Sequence, residues 1–164
     1  MEILNVRHLL ILLASLFFLP ALRAIDFEYC NKSGYDFGNV SRVEVSRNPV
    51  ELEEYPTIKI FGYDNKSIDE GSVEVHVTAG ETTHMMERYT LCVVGSECAI
   101  AAGTNFVLVL AEVPLKYIEE ESKYVYSVRL MDEDVGDSQE PVLRMCVEFE
   151  IPIVDLALVS AESS

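Results

Sequence analysis

The chain contains no tryptophan, and its 12 lysines and arginines are outnumbered by 28 aspartates and glutamates. Without tryptophan it lacks the buried ring that ordinary immunoglobulin domains press against a mid-strand disulfide. The formal charge of −16 at pH 7 repels phosphate backbones, which excludes nucleic acid as a partner. Histidine is scarce as well: beyond residue 24 only His76 and His84 remain. Neither belongs to a Ser/His/Asp arrangement or to a metal-ligand spacing, so the expectation is no catalytic residue, no metal and no cofactor. His76 alternates with Glu74 and Thr78 and reads as an exposed position. Gly34 and Gly38 lack the strand-to-helix context of a phosphate loop. After the N-terminal segment no stretch approaches the ~18 consecutive apolar residues of a membrane-spanning helix. The tail Ile151 to Val159, interrupted by Pro152 and Asp155, is a poor lipid-anchor signal.

The one long apolar run is at the start. Arg7 and His8 precede Leu9 to Leu19, and Pro20-Ala21-Leu22-Arg23-Ala24 offers a small residue at a cleavage point. That is the pattern of a secretory signal peptide, here residues 1–24, leaving one domain over residues 25–164. The leader carries Glu2 against Arg7 and Arg23, a net +1, so its removal takes the formal charge from −16 to −17. A hydrophobic fraction of 49% is too high for an acidic disordered chain. Export into the secretory pathway, ending outside the cell, in a vacuole or in the endoplasmic reticulum lumen, follows as an expectation.

Beyond residue 25 the hydrophobic period is two. Val43 and Val45, Ile58 and Ile60, Val73, Val75 and Val77, and Phe106, Leu108 and Leu110 each alternate with polar or small residues. Tyr124, Tyr126, Val128 and Leu130 form another row, and Leu143, Met145, Val147, Phe149 and Ile151 the last. Alternation of this kind makes strands with one buried and one wet face. Turn residues recur between the rows at Asn48-Pro49, Asp64-Asn65, Glu70-Gly71, Ala79-Gly80, Gly95-Ser96, Gly103 and Asp132 to Gly136. Seven or eight short strands without an intervening helix predict an all-β, immunoglobulin-like antiparallel sandwich of two sheets.

Four cysteines in an exported chain read as two disulfides with three possible connectivities. Cys30 shares the face of Asp26 and Glu28, and Cys146 that of Glu148 and Glu150, which favours Cys30–Cys146 with both pointing outward. Cys92 and Cys98, six apart around Gly95, suit a local hairpin staple. Asn31, Asn39 and Asn65 each open an Asn-X-Ser sequon and are candidate glycosylation sites.

These residues, taken in order, resemble the MD-2-related lipid-recognition (ML) family. Phe27-Glu28-Tyr29-Cys30 with Val40 to Ser46 and Asn48-Pro49 is similar to its opening strands. Tyr89-Thr90-Leu91-Cys92 to Cys98-Ala99-Ile100-Ala101-Ala102-Gly103 is similar to its central cysteine block. Val113-Pro114, Tyr124 to Asp132 and Cys146-Val147-Glu148-Phe149 complete the set. Ala99 stands where the family usually has proline, and the third disulfide of some members is absent.

The resemblance implies the same sandwich, a first-to-last disulfide and a lipid held between the sheets. The expected ligand is a phospholipid or sterol carried between membranes by a monomer in transient contact with them. An acyl chain of sixteen carbons is worth on the order of 10 kcal/mol out of water, and its cavity needs only apolar walls and a few polar groups at the mouth. Candidate walls are Ile60, Val75, Val77, Tyr89, Phe106, Leu108, Tyr126, Val128, Val147 and Phe149, with Met86, Leu115 and Tyr117 at the rim. Each taken singly fits plain core better than a lipid wall. The competing reading is an immunoglobulin-like secreted interaction module with no lipid cavity.

Overall fold

A computed structural model describes residues 22–51, 54–114, 124–133 and 140–154. The alternating rows become β3 (Gly38–Val45), β5 (Ile58–Asp64), β6 (Gly71–Ala79), β8 (Asn105–Leu110), β9 (Tyr124–Asp132) and β10 (Val142–Glu150). Shorter strands are β1 (Arg23–Ile25), β2 (Glu28–Tyr29), β4 (Val50–Glu51) and β11 (Ile153–Val154), and β7 (Thr82–Thr90) follows β6. The one helical turn among the described residues is α1 (Leu91–Val94). One sheet has the order β1-β3-β5-β8 and the other β2-β10-β9-β6-β7. Every pairing within these two sheets is antiparallel; only the small β4–β11 pair is parallel.

Period-two burial explains why these segments pair as they do. Val43, Val45, Ile58, Ile60, Leu108 and Leu110 face inward from the first sheet, and Val73, Val75, Val128, Leu130, Met145 and Val147 from the second. A slip of one residue would turn every one of these side chains to water, so the registers are strongly specified. Tyr29 joins the sheets, its hydroxyl oxygen accepting the Val40 N–H at 2.8 Å beside an irregularity in β3. Gly62 is needed for close approach: a Cβ there would lie 2.4 Å from Cζ of Phe106, whose ring covers the glycine.

The structure joins Cys30 to Cys146 and Cys92 to Cys98, the pairings favoured by strand phase and implied by the resemblance. Three expectations about strand phase and the cysteines need correction. Leu143 is 39% exposed, because a register shift between Leu143 and Met145 breaks the phase of β10. Cys146 does not point into solvent: it is buried, while Cys30, bonded to it, is the exposed partner. The segment from Cys92 to Cys98 is not a hairpin of strands but a helical turn followed by a loop, with the Gly95 N–H donating to the Leu91 carbonyl at 2.7 Å.

Candidate functional site

The two inner faces meet as one continuous apolar interior. Ile60, Val75, Val77, Phe106, Leu108, Tyr126, Val128, Val147 and Phe149 are all buried in it. Tyr89 and Met86 are half-buried and pack against it from β7. Leu115 and Tyr117, the other rim candidates, lie outside the described residues. Tyr126 stacks on Phe149 with ring centroids 6.5 Å apart, and burial pushes its phenol well above the usual range, keeping it neutral.

Half-buried apolar side chains meet this interior at both edges of the sandwich, Ile25, Phe27 and Tyr29 beside β1 and β2, and Met86 and Tyr89 on β7. β7 ends one sheet and β8 ends the other, and α1 packs against both. β7 is mostly exposed on its free side, and Met85 beside Met86 is 56% exposed. Tyr89 stands at this edge; burial and the carboxylates of Glu87 and Glu112 raise its phenol. Between the Cys92–Cys98 loop and β8 runs a groove of about 210 Å³ that touches Phe106, Leu108 and Ile100. A larger groove of about 650 Å³ lies on the opposite side, among Ile25, Phe27, Val125, Phe149 and Pro152. One of its walls is Ala24, the last residue of the expected leader, so the groove would be reshaped if the leader is removed.

Most charged side chains lie at the surface, with Asp64 and Asp132 buried. Arg88 bonds Ser72 and Glu133, at 3.2 and 2.6 Å, and Arg144 grips Asp132, buried at the end of the inward row of β9, at 2.9 and 2.6 Å. His76 is not freely exposed as its alternation implied: its side chain is 12% exposed and its Nε2 lies 3.0 Å from a Glu74 oxygen. Among the described residues no group of three His, Cys, Asp or Glu side chains is placed to hold a metal ion, and no helix is long and apolar enough to cross a membrane. Asn31, Asn39 and Asn65 are all exposed. Sequence reasoning placed Asp64 in a turn, yet it is fully buried. Its position continues the inward row Ile58, Ile60, Gly62, the one signal that could have revealed it.

The family model described as the ML domain matches residues 24–153. The chain belongs to the ML-domain family. MD-2-related lipid-recognition protein 3 of Arabidopsis thaliana is 44% identical over 163 residues, spanning 95% of this chain and 97% of that protein. The ML-domain relative ROSY1 of the same plant, also called an MD-2-related lipid-recognition protein, is 29% identical and spans 93% and 92%. Among solved structures, a Niemann-Pick type C2 protein from the Japanese carpenter ant has a TM-score of 0.61 at 13% identity. It covers 79% of this chain and 99% of its own, a likeness of ML-domain fold.

Proposed function

We propose that this ML-domain protein takes one lipid between its two sheets and carries it between membranes. The observation that supports the reading best is the apolar interior shared by both sheets, with Met86 and Tyr89 half-buried at the edge where β7 and β8 leave it. Family membership and two relatives named for lipid recognition point the same way. Uptake would part the sheets along that edge. The opened surface would meet an acyl chain or sterol ring at a gain of about 25 cal/mol per Å² removed from water. No group in the interior needs to react, and the product of the cycle is the same lipid in another membrane.

The accompanying proposals are a leader removed after Ala24, transit through an oxidising secretory compartment suited to two disulfides, glycans on the exposed sequons, and a monomer touching membranes only during exchange. Transfer of a fluorescent phospholipid and of a fluorescent sterol between vesicles tests the function. The expected result is protein-dependent transfer of at least one; no binding and no transfer of either would leave the interaction-module reading in its place.

A further inference from the structure

The last inward residue of β5 is a carboxylate. Asp64 is 0% exposed, and neither Oδ1 nor Oδ2 has a hydrogen-bond partner of normal geometry among the described residues. Its main chain is already committed, with the Asp64 N–H donating to the Thr104 carbonyl at 3.1 Å and the Gly103 N–H donating to the Asp64 carbonyl at 3.0 Å. Gly38 closes over it from β3: a Cβ there would lie 2.7 Å from the Asp64 Cα. Charged residues of the flanking segments are engaged elsewhere, Asp36 with Lys66 at the surface. Burial raises the Asp64 carboxyl, opposed only by the nearby amides of Thr104 and Gly103, and no charged side chain contributes.

The other buried carboxylate among the described residues is held differently. Asp132 is 4% exposed and holds the Arg144 guanidinium through two contacts. Leaving a buried acceptor unsatisfied is costly, and fully buried groups of this kind are rare in folded proteins. An acceptor with only the Thr104 and Gly103 amides beside it, at the end of an apolar interior, suits a ligand that is apolar except for one donor. An ammonium would have to shed its tightly held water to arrive there, whereas a hydroxyl loses far less.

We propose that Asp64 is the internal anchor of the bound lipid and selects a neutral lipid alcohol, whose hydroxyl donates to its carboxyl group. The proposal rests on the lipid-carrier reading and adds the class of ligand to it. A sterol and a long-chain alcohol share this chemistry, and matched ethers tell donor from shape because an ether oxygen cannot donate.

The test is competition against a bound fluorescent lipid probe, using the full mature protein. The competitor pairs are cholesterol with its 3-methyl ether and hexadecanol with methyl hexadecyl ether. The wild type should prefer the alcohol by about tenfold or more in at least one pair, and the responding pair names the source. Asp64→Val should bring that ratio close to one, while Asp64→Asn, which keeps an acceptor of the same shape, should retain part of it. Both substitutions remove a buried unpaired charge, so the fold should survive each. Equal binding of alcohol and ether by the wild type, or an unchanged preference in Asp64→Val, would overturn the anchor while leaving a working lipid carrier. Failure of every lipid and of the probe to bind would overturn the carrier reading itself, and the anchor with it.

Discussion

Replacing Cys30 and Cys146 together by alanine should cost far more stability than replacing Cys92 and Cys98. The first bridge closes a separation of 116 residues and the second one of 6. Loop-closure entropy in the unfolded chain gives about 4.8 kcal/mol for the long loop and about 2.2 kcal/mol for the short one. For a domain of this size the long bridge is thus a large part of the ~5–15 kcal/mol that separates folded from unfolded. The structure adds a local consequence. β2 has only two residues and one strand partner, with Tyr29 opposite Val147 and Glu28 opposite Glu148. The Cys30 N–H to Cys146 carbonyl bond, 3.1 Å, extends that pairing beside the bridge, so without it β2 should fray and release the Tyr29–Val40 contact between the sheets. Urea unfolding of both double variants under non-reducing conditions gives the stabilities, and amide exchange over residues 26–40 reports the fraying. Equal losses in the two variants, or a larger loss for Cys92/Cys98, would refute the argument.

Gly38→Ala should destabilise the protein by more than Gly34→Ala. The new Cβ at Gly38 would lie 2.2 Å from the Tyr63 main-chain oxygen, which cannot swing away, whereas Gly34 has open space around it and faces only the roughly 1 kcal/mol strain of φ +72°; thermal melts of both variants decide it. The raised carboxyl of Asp64 makes its contribution to stability fully present below the ordinary aspartate range near 3.8 and lost as pH rises through the folded value. Asp64→Asn should therefore stabilise the fold at neutral pH and have little effect near pH 3, an outcome read from denaturation midpoints across that range. Lipid exchange with anionic vesicles should be faster at pH 5 than at pH 7.5, because 27 acidic residues against 10 basic ones remain after removal of residues 1–24. Added salt should shrink that difference, and a flat profile at low salt would mean that the net charge serves solubility alone.

The strands were legible because burial imposes a period of two wherever one face meets the core. The rows of β5, β6, β8 and β9 could be read from their valines, isoleucines, leucines and tyrosines without knowledge of their partners. What escaped was set by events between strands. The register shift that exposes Leu143 depends on how β10 meets β9, and the burial of Cys146, which is bridged to the exposed Cys30, is a tertiary outcome that strand phase does not carry. β1 was hidden inside an apolar leader signal: Arg23 and Ala24 pair with Val45 and Glu44, although removal of the leader would take both away. In the interior, wall residues could be named from phase; Asp64 continues the inward row of β5, but aspartate followed by asparagine reads as turn chemistry and hid that signal.

Native mass spectrometry of the purified mature protein, kept away from detergent and then incubated with a mixed lipid extract, tests the carrier reading most directly. It predicts a species heavier than the protein and its glycans by one lipid, released as an intact lipid on organic extraction. A single mass equal to the protein and its glycans, unchanged by incubation and with no lipid in the extract, would contradict it.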